Sequence, residues 1–264
     1  MALVQKIGFQ LSTWRTRNVA CKLLSTSSVT SQPIVELREY DLIPGHAGDY
    51  MKATAETVEL RKSLVPLRFF SLPETGGQLH VATHAYFYKG GHQERDERRG
   101  LQVQNQEWMK YVGEIRSWVH RQQSNIFIEA PLVTSMEEVL GLEKIPEQIT
   151  GNNTILEIRR YKLRLGYDTV PQFLSLYQAG LPSKLHAPGT DPSTSLVTLL
   201  YSDVGRLNEV IEIWRHGNGT PAMEKSRVAA RAATEWKKAI SNIATLAIEF
   251  TSTIHKPTAF SPLR

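Results

Sequence analysis

Val35-Glu36-Leu37-Arg38-Glu39-Tyr40-Asp41-Leu42 returns 121 positions later as Leu156-Glu157-Ile158-Arg159-Arg160-Tyr161-Lys162-Leu163. Apolar and polar side chains alternate in both stretches, the pattern of a strand with two unlike faces. Gly45 and Gly166 keep the same spacing. Further along, the spacing becomes 128: Gly77 meets Gly205, Leu79 meets Leu207, Arg99 meets Arg227, and Glu107-Trp108 meets Glu235-Trp236. Matches in unbroken order over about a hundred residues mark an internal duplication. The seven extra residues belong to a loop insertion at 182–195, which is rich in Pro, Ser and Gly.

Each copy reads as the same series of elements. A strand at 34–42 or 155–163 leads into a helix at 47–64 or 169–180. Then comes a hairpin, 67–72 with 79–88 or 196–202 with 207–216, turning at Gly76-Gly77 or Gly205. An amphipathic helix follows. Trp108, Tyr111, Val112, Ile115, Trp118, Val119 and Gln122 trace its stripe in the first copy. Ala229, Ala232, Ala233, Trp236, Ile240, Ile243 and Leu246 do so in the second. Last strands are expected near 125–130 and 248–254. Strand, helix, strand, strand, helix, strand is the ferredoxin-like order. Its helices cover one face of a four-stranded sheet and leave the other to be buried elsewhere. The expected fold is α+β: two tandem ferredoxin-like domains whose sheets pack as an α+β barrel within one chain. The domain plan is 1–32 as a leader, 33–140, a linker at 141–153, and 154–264.

Residues 1–32 hold Lys6, Arg15, Arg17 and Lys22, with no Asp or Glu and many Ser and Thr. That composition describes a mitochondrial transit peptide, with a chloroplast transit peptide as the rival. Of the formal net charge of +5, these residues carry four, so the remainder is nearly neutral and no nucleic-acid surface is implied. The single cysteine, Cys21, lies in the same segment, which leaves no thiol chemistry or disulfide for the rest. No stretch approaches the roughly 18 unbroken apolar residues of a membrane-spanning helix.

With these residues in view, the chain resembles the NIPSNAP family. The resemblance rests on the repeated opening at Val35–Tyr40 and Leu156–Tyr161, and on Gly205-Arg206-Leu207-Asn208 and Ile213-Trp214. It rests also on the Glu-Trp pairs and on the ending Pro257-Thr258-Ala259-Phe260-Ser261-Pro262-Leu263-Arg264. It covers nearly everything after residue 33. It implies the dimeric α+β barrel superfamily and a mitochondrial location, for which the matrix is the expected compartment. It also implies roles in vesicular transport and in marking damaged mitochondria, with no settled reaction.

Alternation sorts the strand residues into two sets. Leu37, Leu156, Ile158, Val81, Ala85, Phe87, Ile211 and Ile213 form the apolar set, expected under the helices. Glu36, Arg38, Tyr40, His84 and Tyr86, with Glu157, Arg159, Tyr161, Glu212 and Trp214, form the polar and aromatic set, expected inside the barrel. Three readings follow. In the first, the ion pairs form a satisfied network that fixes docking of the copies. In the second, they line a cavity for a small polar, anionic or aromatic ligand, with Arg38 and Arg159 as clamps. In the third, His84 acts as axial ligand or general base beside Tyr86 and Trp214, as in monooxygenases of similar shape. His84 has no histidine counterpart in the second copy. The chain also lacks a glycine-rich phosphate loop, a nucleophile elbow and a metal-spaced histidine cluster. No catalytic residue, metal or cofactor is therefore assigned. The leading expectation is a non-enzymatic scaffold or adaptor in mitochondrial quality control or trafficking, with protein partners and room for homo-oligomers. A ligand-binding or monooxygenase-like barrel is the alternative. Glu94-Arg95-Asp96-Glu97-Arg98-Arg99 reads as a solvated helix face, and Trp108 and Trp236 as core anchors.

Overall fold

The computed structural model describes residues 31–145 and 153–264. The leader, apart from its last two residues, and most of the 141–153 linker lie outside them. The first repeat runs β1 (Ile34–Leu42), α1 (Ala47–Glu56), α2 (Val58–Leu64), β2 (Leu67–Thr75), β3 (Val81–Tyr88), α3 (Gly91–Gln104), α4 (Gln106–Ile115), β4 (Val119–Glu129) and the short α5 (Pro131–Ser135). The second runs β5 (Ile155–Leu163), α6 (Thr169–Leu185), β6 (Thr194–Val204), β7 (Glu209–His216), α7 (Gly219–Ala232), α8 (Thr234–Leu246) and β8 (Ala247–Pro257).

All eight strands close one antiparallel barrel in the order β1-β3-β2-β8-β5-β7-β6-β4. Each repeat contributes a ferredoxin-like sheet, and the two join where β2 pairs β8 and β4 pairs β6. Closure leaves neither sheet with an open edge. β1 aligns Glu36 with Tyr86 and Arg38 with His84; β5 aligns Glu157 with Trp214 and Arg159 with Glu212. At the β2–β3 turn Gly76 has φ +91°, and a side chain there would strike the Ser252 carbonyl. Only glycine fits that approach.

The two faces are the reverse of the expectation from alternation. One apolar cluster takes Val35, Leu37, Ala85, Phe87 and Phe127 from the first repeat and Leu156, Ile158, Val197, Ile211 and Ile213 from the second. A cluster drawn from both sheets is the barrel interior. Leu142, Ile145 and Leu263 join it, so the linker and the C-terminal signature help plug the barrel. Separate clusters lie between each sheet and its own helices. In the first repeat Tyr40, Phe70 and Ala82 meet Tyr50, Trp108 and Tyr111; in the second Tyr161 and Trp214 meet Phe173, Tyr177 and Trp236. The polar set thus faces the helices. The physical reason is room. An eight-stranded barrel is only wide enough to be filled by side chains, and charges there would need partners inside the same narrow space. The outer face offers cations carried in on helices, and long side chains can reach water at the layer's rim.

Other boundaries also shift. The helix expected at 47–64 breaks at Thr57. The amphipathic stripe through Val119 and Gln122 stops at Trp118, since Val119 already pairs with Leu42 in β4. Ala229 and Ala232 belong to α7, Ala233 is the break, and Trp236 begins the α8 stripe. Part of the 182–195 insertion is the last turn of α6, which continues through Pro182 to Leu185.

Candidate functional site

The ten candidate residues divide into two stations, one under each helical layer, and they do not share a cavity inside the barrel. In the first, Glu36 is buried and its carboxylate accepts from Ser124 Oγ (2.6 Å), Arg95 (3.0 Å), Arg99 (3.2 Å) and the Tyr88 hydroxyl (3.2 Å), with Arg38 Nε at 3.3 Å. Burial alone would raise its pKa. The Arg38 charge and the bonds from Ser124 and Arg95 outweigh burial and hold it below the usual range. Arg95 and Arg99 come from the segment expected as a solvated helix face; Asp96 and Glu97 are exposed, but α3 turns both guanidinium groups onto Glu36. Arg61 is fully buried and donates to Tyr86 (2.7 Å) and Tyr111 (2.6 Å), with its guanidinium 5.1 Å from the Trp108 ring centre. His84 stacks on Phe70 at 4.9 Å, edge-on to Tyr40 and Tyr86, and neither ring nitrogen has a hydrogen-bond partner among the described residues. Burial, with Arg61 and Arg38 nearby, pushes it well below the ordinary histidine value, so the ring is neutral. Trp214 sits in the other station, so the His84–Tyr86–Trp214 grouping does not form.

The second station repeats the carboxylate cradle. Glu157 accepts from Arg159 (2.5 Å), Arg227 (2.5 Å), Ser252 Oγ (2.8 Å) and His216 Nε2 (3.4 Å). Burial opposes its ionisation, but His216, Arg159 and Arg227 drive its pKa far down. His216 is neutral, since burial lowers it more than Glu157 raises it. Nε2–H then donates to Glu157, and Nδ1 accepts from Thr194 Oγ1 at 2.9 Å. Glu212, where the first repeat has His84, is buried and accepts from Arg159 (3.2 Å), Tyr161 (3.0 Å) and Tyr177. Burial raises its pKa, but Lys184 and Arg159 more than compensate, and the group is ionised.

Beside these carboxylates lies a cavity of about 500 Å³ between β5, β7, β8 and helices α7 and α8, walled by Trp214, Trp236 and Phe250. A further hollow of about 350 Å³ shares Arg159, Trp236, Ile240 and Phe250 with it. Five basic side chains, Arg159, Lys184, Arg227, Arg231 and Lys237, line the larger cavity against one carboxylate, Glu157. Lys184 Nζ lies 3.6 Å from the Trp214 ring centre and 4.5 Å from that of Trp236. Burial lowers its pKa to about 7, with Glu212 opposing. The barrel's own polar end is smaller. Near Glu39, Thr83, Gln123, Arg160 and His255 there is about 150 Å³, and Arg160 bridges Glu39 (2.8 Å) and Glu209 (3.0 Å). Among the described residues no group of three or more His, Cys, Asp or Glu could hold a metal ion, and no helix is long and apolar enough to cross a membrane.

Lys184, Arg227, His216, Arg61 and Arg95 were not singled out as site residues from the sequence. Arg227 had a signal, since it pairs with Arg99 in the duplication, and Ser252 pairs likewise with Ser124. Lys184 had none, because it fell in the stretch assigned to a loop.

Duplicated ferredoxin-like halves closed into one barrel, each with a buried glutamate held by arginines from strand and helix, define a tandem member of the α+β barrel class. The chain belongs to the NIPSNAP family, whose model matches residues 35–133 and 156–262. Among solved structures, a candidate monooxygenase from Fusobacterium nucleatum matches with a TM-score of 0.59 and 11% identity, covering 86% of this chain and 93% of that one. A candidate monooxygenase from Lactobacillus acidophilus matches with a TM-score of 0.54 and 8% identity, covering 86% and 94%. Both show the fold alone. A NIPSNAP-like domain protein from Burkholderia xenovorans is 28% identical over 36% of this chain and 83% of its own, with a TM-score of 0.34. No curated protein matches in sequence.

Proposed function

We propose that this NIPSNAP protein binds a small planar anion in the cavity of its second repeat, and that it does so in the mitochondrion. The observation that carries the reading is the lining of that cavity: Trp214, Trp236 and Phe250 supply flat apolar walls, and the basic side chains exceed Glu157 in charge. A cavity of about 500 Å³ is the size of a small-molecule site, mostly apolar with a few polar groups that orient the ligand. Arg159 and Arg227 are partly spent on Glu157, but Arg231 and Lys237 form no ion pair among the described residues. They remain to meet a carboxylate or sulfonate, and aromatic faces suit a planar ring.

The test is titration of the protein with 1-naphthoate, followed by tryptophan fluorescence. Saturable quenching is expected, weakened several-fold by Arg231→Ala with Lys237→Ala and by raised salt. No saturable change up to millimolar 1-naphthoate would overturn the reading. For location, residues 1–32 fused to a fluorescent protein are expected to direct it to mitochondria, and a diffuse or plastid signal would count against that part.

A second reading, the adaptor, has its own observation. Leu79, Leu165, Tyr167 and Leu207 are exposed, and all lie in loops at one end of the barrel, where β2, β5 and β6 finish. Exposed apolar groups gathered at one end suit a protein partner. Serine at all four positions should remove specific cross-links made in intact mitochondria while leaving 1-naphthoate binding in place. Unchanged cross-links would end this reading.

A further inference from the structure

We propose that Lys184 is an amine nucleophile that captures an aromatic aldehyde carrying an acidic group as a Schiff base in the second-repeat cavity. The inference rests on the planar-anion reading of that cavity and names the reactive function its ligand would carry.

Placement between two aromatic faces sets Lys184 apart from the other lysines, more than its lack of an ion pair, which Lys237 shares among the described residues. Lys62, Lys89, Lys162, Lys225 and Lys256 each lie within 4 Å of a carboxylate, with Glu59, Glu143, Glu249, Asp191 and Glu74 as partners. Lys184 forms no such pair, and its Nζ makes no hydrogen bond among the described residues. It stands near the end of α6, and its amine is held between the faces of Trp214 on β7 and Trp236 on α8, in the wall of the cavity. Two indole rings fix where the nitrogen sits, and their faces by themselves favour the ammonium. Desolvation in the partly buried cavity wall opposes them and lowers the pKa to about 7. A substantial fraction of the amine then carries a free lone pair at neutral pH, whereas an ordinary lysine, near 10.4, does not.

The chemistry needs nothing beyond the aldehyde and water. The Nζ lone pair attacks the carbonyl carbon, a C–N bond forms, and the carbonyl π pair moves to oxygen. A proton passes from nitrogen to that oxygen to give the carbinolamine. Protonation of the hydroxyl by solvent releases water, the C–O bond breaks, and the nitrogen lone pair closes the C=N bond. Neutral lysine, aldehyde and that proton give the protonated imine and one water; returning the proton to solvent leaves the neutral imine, and no oxidant or reductant is consumed. Glu212, ionised and close enough to affect the lysine's charge, would favour the protonated imine. The indoles hold the amine, so Phe250 would offer its face to the aromatic ring, and Arg231 and Lys237 would take the acid.

The probe is 4-formylbenzoate, with sodium cyanoborohydride to fix any imine, and adducts are located by peptide mass spectrometry at short reaction times. One adduct, at Lys184, is expected at pH 7. Its rate should be half-maximal near pH 7, while labelling of surface lysines should still rise above pH 9. Lys184→Arg, which keeps a long basic side chain between the rings but has no nucleophilic amine, should lose the adduct. 4-Methylbenzoate, which has the acid and the ring but no carbonyl, is titrated in parallel on the unmodified protein. If it binds and Lys184 is labelled no faster than surface lysines, the nucleophile is wrong and the cavity reading stands. If it fails to bind and no adduct forms at Lys184, both fall. A Lys184 adduct that excess 4-methylbenzoate suppresses supports both.

Discussion

Glu36 and Glu157 occupy the same place in the two repeats, each buried and each ringed by a strand arginine, a helix arginine and a serine from the last strand. Removing the charge would leave those cations facing one another in a desolvated layer. Glu157→Gln keeps the shape and one acceptor oxygen but not the charge. It is expected to lower stability by about 2–3 kcal/mol, read from the urea midpoint at constant slope. A loss below about 1 kcal/mol would mean that Arg159 and Arg227 find other partners or water. Alternation in the sequence identified these residues as a set, because period two separates faces without ambiguity. It could not say which face is the barrel interior. That depends on how two sheets close on each other, and both faces of these strands are buried. The same limit hid Lys184, since the rings that hold it come from β7 and α8, far away in the chain.

At the scale of elements, β1 and β5 fall where alternation put them, because nothing competes with a strand over those residues. The boundary at Val119 was lost because Trp108, Tyr111, Val112, Ile115 and Trp118 satisfy the helical period, and Val119 continues it by coincidence. Pairing with β1 then decides the matter, and no local signal reports it. Helix packing gives a paired test. Gly180 lies in α6, and a Cβ there would come within 2.5 Å of Ala239 Cβ and 3.3 Å of Trp236 Cε3. Neither α6 nor α8 can rotate a Cβ away, so Gly180→Ala must push the two helices apart and move a wall of the cavity. Overpacking costs about 1–3 kcal/mol, against a helix-propensity gain of about 1 kcal/mol. The expected net is a lower Tm and weaker 1-naphthoate binding. Gly113 in α4 has open space where its Cβ would be. There the propensity gain stands alone, and Gly113→Ala should raise stability by about 0.5–1 kcal/mol. If the two substitutions shift Tm in the same direction, the close approach of α6 and α8 is wrong.

For the whole molecule, closing both repeats into one barrel places three neutral histidines out of water in three separate settings. His84 lies under the first helical layer, His216 under the second, and His255 inside the barrel against Ser71 Oγ at 3.2 Å. The duplication made the barrel legible, but the histidines' settings depend on which face turned inward. Burial depresses all three pKa values; for His255 burial and then Arg160 bring it to about 3. An unfolded chain takes up protons on these rings as pH falls through about 6.5. The folded chain does not until the depressed values are reached. The unfolded state therefore binds more protons over this window, and stability falls as pH falls below 6.5. Each histidine contributes up to about 1.4 kcal/mol per pH unit. Glu36, Glu157 and Glu212, held below 4.5, add to the loss only at lower pH, while Glu129, raised by burial, works the other way. Between pH 6 and 5 the histidines should dominate, and urea midpoints should drop steeply there. His255→Gln should reduce that slope by about one histidine's share whatever it does to stability at pH 7, because it removes one of the three groups. A midpoint that stays level from pH 6.5 to 5 would mean that the rings protonate in the folded protein, and that the layers enclosing them are open to water.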